Sequence, residues 1–219
     1  MKKIIATLAA FVFSISSAYA VTISDLSLGV SANQGVYIGD GKEENYTHTG
    51  TLELTTEKHG QAFEDAYPSI FVEYNANDNV AIGLSYVFES IETPQHINDG
   101  EGGDNQTDIK VSAKFDDLMS LYVLGKTDFG IYGKVGVSQM DIQISSENAG
   151  TYPNPGNTNG WEVAFGYEHE AGNGMAIRAE LAYHEFDSVK ASNGQTDKNE
   201  ITVSNMYGAT GRLSLVKSF

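Results

Sequence analysis

The chain contains no cysteine, one tryptophan and four prolines. Without cysteine no disulfide forms, no thiolate holds a metal, and no lipid anchor can be attached through sulfur. Basic residues are scarce: 13 Lys and Arg face 29 Asp and Glu, a formal charge of −16. That sign argues against binding nucleic acid and against direct adsorption to anionic lipid. Long apolar runs are missing too, because beyond residue 20 no segment reaches the ~18 consecutive apolar residues of a membrane-spanning helix. What is present excludes disorder: 12 Tyr, 10 Phe and 41% hydrophobic residues can build a packed structure.

The first twenty residues read as an address. Lys2 and Lys3 precede an apolar run from Ile4 to Ile15, and Ser16-Ser17-Ala18-Tyr19-Ala20 supplies an Ala-x-Ala-like cleavage site. This order of charge, apolar run and small residues predicts a secretory signal over 1–20, cut after Ala20. The mature segment 21–219 loses both lysines, its charge becomes −18, and no linker composition divides it, so one domain is expected.

The final nineteen residues set the pattern for everything between. From Phe219 backwards in twos lie Lys217, Leu215, Leu213, Gly211, Ala209, Tyr207, Asn205, Val203 and Ile201, mostly apolar. The intervening set (Ser218, Val216, Ser214, Arg212, Thr210, Gly208, Met206, Ser204, Thr202) is mostly small, polar or charged. Side chains of a strand alternate between two faces, so this is a two-faced strand. The same alternation predicts seven earlier strands, near 25–39, 67–75, 80–90, 108–126, 131–144, 160–170 and 175–186. Asp117 falls on the apolar parity of its strand, which predicts a bulge near Phe115-Asp116-Asp117, and the parity after Gln139 is unclear.

Connections decide the fold. Polar segments 40–66 (with short strand extensions around Thr51–Thr55), 91–107, 145–159 and 187–200 are long, whereas Ala76–Asn79, Thr127–Gly130 and Ala171–Gly174 are tight turns rich in Asn, Asp and Gly. Alternating long and short connections describe an all-β, up-and-down antiparallel barrel of eight strands, with both termini at the short-turn end. Each strand offers about 9–11 alternating residues, enough to cross a bilayer at a tilt. Only a closed barrel can put strand backbone into lipid. The rival is a secreted lipocalin-like binding barrel with apolar side chains inside. Against it, the non-apolar face is rich in Gly, Ala and Ser, as a narrow lumen requires. Tyr74, Tyr86, Phe88, Trp161, Tyr167, Tyr183 and Tyr207 also lie at or near strand ends, where a membrane barrel carries its aromatic girdles.

The signal segment, the strand rhythm and the terminal Gly211-Arg-Leu-Ser-Leu-Val-Lys-Ser-Phe219 resemble the small bacterial outer-membrane β-barrels of the opacity-protein/OmpX-like superfamily. The resemblance implies a monomer in the outer membrane of a Gram-negative bacterium, surrounded by lipid and lipopolysaccharide. It also implies passage through periplasmic chaperones to the barrel assembly machinery, which would read Leu213, Leu215 and Phe219. Lys217 departs from the apolar residue usual at its place.

The predicted lumen carries a charge network of Glu73, Glu89, Glu162, Glu168 and Glu180 against Lys110, Lys114, Lys126, Lys134, Arg178 and Arg212, with His184 beside it. A barrel of eight strands is only wide enough for side chains to fill. The expectation is therefore a plugged, charge-paired lumen, with envelope structure or surface interaction through acidic loops as the role; a small porin is the alternative. The loops carry Asp40, Glu43, Glu44, Glu53, Glu57, Glu64, Asp65, Glu92, Asp99, Glu101, Asp104 and Asp108, which could attract divalent cations, although the Asp99–Asp104 run lacks calcium-loop spacing. The histidines (His48, His59, His96, His169, His184) fall at no catalytic spacing from a serine, so neither an outer-membrane lipid-modifying enzyme nor a cofactor is indicated.

Overall fold

The computed structural model describes residues 25–46, 50–93, 96–98, 109–147, 153–192 and 199–219. The expected signal segment 1–20, His48 and the acidic residues Asp99 to Asp108 lie outside the described residues, as do the side chains of Glu53, His59, His96 and Lys110. Among the described residues eleven antiparallel strands follow one another: β1 (Leu26–Tyr46), β2 (Leu52–Asn77), β3 (Val80–Val87), β4 (Ile91–Glu92), β5 (His96–Asn98), β6 (Ile109–Lys126), β7 (Ile131–Glu147), β8 (Gly156–Gly172), β9 (Met175–Phe186), β10 (Val189–Ser192) and β11 (Asn199–Ser218). Eight of them, β1-β2-β3-β6-β7-β8-β9-β11, form a ring that closes where β1 pairs with β11. The short strands β4 and β5 continue β3 along β6, and β10 continues β9 along β11.

The long connections are shorter than the sequence suggests. Apart from residues 47–51, of which 47–49 lie outside the described ones, segment 40–66 is strand and not loop: β1 runs on to Tyr46 and pairs with β2 from Leu52, a ribbon that β11 flanks as far as Asn199. Polar, Thr- and Glu-rich residues hid this ribbon, since neither of its faces is uniformly apolar. β7 and β8 likewise extend into the third long segment, and β10 into the fourth.

Alternation sorts the side chains. Leu28, Val30, Ile70, Val72, Val135, Val137, Val163, Phe165, Ile177, Leu181, Leu213 and Leu215 all point outward and are exposed, so the ring wears an apolar belt. Inside, small residues leave room for aromatic rings: a Cβ on Gly83 would run into the Tyr122 ring, and one on Gly166 into Tyr132 and the Ala179 carbonyl. Gly166→Val is therefore expected to destabilise the barrel by about 1–3 kcal/mol through overpacking, read as a lowered urea midpoint for the folded form. An unchanged midpoint would mean that Tyr132 can swing away.

Two bulges divide the interior into tiers. Between Asp116 and Met119 the register of β6 against β7 slips by one residue, with Asp117 at φ 54°. Between Ser204 and Tyr207 β11 slips against β1, with Asn205 at φ 51°. A one-residue slip moves every later side chain to the opposite face. Below the bulges Leu118, Ser120, Tyr122, Met206, Gly208 and Thr210 point inward; above them Phe115, Val203 and Ile201 do so. This corrects the expected placing of Val203 and Ile201 on the outer face. The parity of β7 persists past Gln139, so Met140 and Ile142 are buried inside.

Candidate functional site

The half of the interior nearest the short turns is an ionic lattice. The Arg178 guanidinium donates from Nη1 and Nη2 to both oxygens of Glu73, at 2.6 and 2.8 Å, and from Nε to Glu168 at 2.5 Å. Lys126 reaches the other oxygen of Glu168 at 2.6 Å. Glu180 accepts from Lys134 at 3.0 Å, from Arg212 at 2.5 Å and from the Tyr132 hydroxyl at 3.0 Å. Tyr122 donates to Glu73 at 2.8 Å, and Arg212 Nε to Asn33 at 2.7 Å. Four acids (Glu73, Glu162, Glu168, Glu180) thus face four bases (Lys126, Lys134, Arg178, Arg212). Buried charges persist when paired and hydrogen-bonded, which the lattice supplies to Glu73, Glu168 and Glu180, while Glu162 has only the ion pair with Lys134.

Some of these pairs are neighbours across adjacent strands, as Glu168 and Arg178 on β8 and β9, or Glu180 and Arg212 on β9 and β11. Glu73 on β2 meets Arg178 on β9 across the lumen, and only ring closure brings them together. Glu162 and His184 stand apart from the rest. Their nearest approaches are Glu162 to Lys134 at 3.4 Å and to His184 Nδ1 at 3.6 Å, and neither side chain has a hydrogen-bond partner. The carboxylate nearest His184 is therefore that of Glu162.

Two expected members do not join. Glu89 sits exposed in the bend after β3, where the strand breaks and its alternation stops. Lys114 lies above the β6 bulge, where the flipped parity turns it away from the lumen, and it pairs with Glu92 at 2.5 Å. That carboxylate raises the Lys114 ammonium above the ordinary lysine range, as Glu44 does for Lys42 and Glu200 for Lys190. Among the described residues no three His, Asp or Glu side chains converge as a metal site.

Above the lattice lies a layer of Tyr37, Tyr67, His184 and Phe186. The Tyr37 and Tyr67 hydroxyls are 2.5 Å apart, and the His184 ring stacks on Phe186 at 6.3 Å. Beyond this layer the lumen becomes apolar and widens into a cavity of about 400 Å³, walled by Phe63, Phe115, Leu118, Met140 and Met206 among others. A void within the lattice, between Glu73, Tyr122, Arg178 and Glu180, holds about 10 Å³.

A closed ring of eight strands, apolar outside and ion-paired inside, is the architecture of a barrel that sits in lipid. The model of the outer membrane protein beta-barrel domain matches residues 5–208. The chain belongs to this family. Its localisation is accordingly the Gram-negative outer membrane, with short turns in the periplasm and the β1–β2 ribbon and long connections outside the cell. Among solved structures, the outer membrane protein OprG from Pseudomonas aeruginosa is similar over 88% of this chain and 96% of its own, at 12% identity and a TM-score of 0.54. Neisserial surface protein A covers 88% of this chain and 99% of its own at 13% identity, with a TM-score of 0.43. The likeness to OprG shows the fold. No curated protein matches the sequence.

In the family's frame the belt is the lipid face. Trp161, Tyr207, Phe88 and Tyr86 lie at its extracellular edge, with Tyr183 packed on Trp161 at 5.5 Å. Tyr167 and Tyr74 lie toward the periplasmic edge, together with exposed Phe129 and Phe219. Alternation sets Tyr37, Tyr122 and Tyr132 on the inward parity of their strands, and the structure buries all three there, but sequence reasoning missed that Tyr122 and Tyr132 bond into the charge network. Their parity was the available signal, since each alternates with outward residues on its strand.

Proposed function

We propose that the protein is a sealed outer-membrane barrel, mature from residue 21, that serves envelope structure or surface interaction from its extracellular end and performs no catalysis. The observation that carries this reading is the ionic lattice, which holds a void of about 10 Å³. A water needs roughly 10–15 Å³ of such space, so a hydrated ion finds no continuous path. The acidic β1–β2 ribbon, with Glu43, Glu44, Glu57 and Glu64, supports contact with lipopolysaccharide bridged by divalent cations. Leu213, Leu215 and Phe219 face the lipid side and are open to the assembly machinery as the chain's closing signal.

The test is conductance in a planar bilayer. The wild-type barrel, inserted and heat-modifiable on gels, is expected to be silent. The Glu73→Ala/Arg178→Ala double variant, which removes a matched pair without leaving a lone charge, is expected to pass current. Steady ion-selective steps from the wild type would replace this reading with a small porin.

A further inference from the structure

The extracellular half of the lumen is built apolar at a backbone cost. Without the β6 bulge, Asp116 and Lys114 would continue the inward row; the slip at Asp117 substitutes Phe115. Without the β11 bulge, Ser204 and Thr202 would point in; the slip at Asn205 substitutes Val203 and Ile201. Bulges re-aim side chains next to functional sites, and non-glycine residues at positive φ persist only where the surroundings hold them. Here they are held. Tyr86 donates to Asp117 at 2.5 Å, and Asn205 donates to Asp40 at 2.7 Å. The second oxygen of Asp40 accepts from the backbone of Gly60, at a third register slip in β2.

A barrel needing only a plug could have continued its ion pairs upward. Instead the chain places about 400 Å³ of apolar-walled space at the end that faces water, within the ~300–1,000 Å³ range of small-molecule sites. The tyrosine–histidine layer floors it, so the site is blind. Asp40, Lys42, Glu43 and Lys58 rim it with balanced charge, while the −16 chain as a whole repels anions. We propose that this cavity is a binding site for a small, uncharged apolar molecule. The proposal goes beyond the sealed-barrel reading and does not depend on conductance.

Methionine methyl resonances test it, because Met140 and Met206 line the cavity, Met119 faces outward and Met175 lies at the periplasmic end. The mature barrel, 13C-labelled at methionine and held in lipid nanodiscs, is titrated with toluene. Saturable shifts are expected at Met140 and Met206 together, against a linear or absent response at Met119 and Met175. Benzoate, the same ring with a negative charge, should bind at least tenfold more weakly. Val203→Trp and Ile144→Trp each fill the cavity from a different strand, and whichever folds should weaken toluene binding at least tenfold. Shifts that never saturate, or that survive a folded filling variant, overturn the proposal; equal binding of benzoate overturns the assignment to uncharged ligands.

Discussion

Replacing Arg178 by alanine lowers the stability of the barrel by about 3–5 kcal/mol, the loss expected when one partner of a buried ion pair is removed. Arg178 is the hub of the lattice, holding Glu73 through two bonds and Glu168 through a third. Glu73 is completely buried, so its orphaned carboxylate cannot turn to water. Glu168 retains Lys126, and Glu73 retains only the Tyr122 hydroxyl. Urea-induced unfolding from lipid vesicles measures the loss. A Glu73→Gln/Arg178→Met double variant should recover part of it, giving a coupling of roughly 0.5–3 kcal/mol in the mutant cycle. A single-variant loss below about 1 kcal/mol would show that water reaches Glu73, and the lattice would then be no seal.

Leu181→Arg is expected to cost about 2–4 kcal/mol, the depth-dependent penalty of a cation on the lipid face near the bilayer midplane. Leu181 is the most exposed of the large apolar side chains, at 71%, and lies midway along β9 between Phe165 and Gly211. In a water-soluble barrel the same change would be nearly neutral, because the arginine would be hydrated. Glu185→Arg, level with Trp161 and Tyr207 at the girdle, serves as the depth control and should cost no more than about 1 kcal/mol. Equal effects at the two positions would place the belt outside the bilayer.

The outward face was legible residue by residue. Val135, Val163, Leu181, Leu213 and Leu215 alternate with Lys134, Glu162, Ala182, Arg212 and Ser214, and lipid fixes that alternation because an open or slipped strand would leave polar groups in hydrocarbon. The members of the lattice below the bulges were legible for the same reason. Glu89 and Lys114 were misplaced because period-two counting holds only while the strand is unbroken: Glu89 follows the end of β3, and Lys114 follows the slip at Asp117. The slip at Asn205 was invisible in sequence, since Asn205 continues the outward row as well as any polar residue near a rim.

By itself, then, the sequence determined a cysteine-free, eight-stranded barrel, its outward face and the charges of its lower lumen, because these are local consequences of two-residue periodicity and connection length. Tertiary structure alone decided that Glu73 meets Arg178 across the lumen and that the extracellular half becomes an apolar cavity. Both depend on how far each strand is displaced along its neighbour when the ring closes, and that displacement, with the bulges that alter it, is a property of paired backbones and not of any one strand.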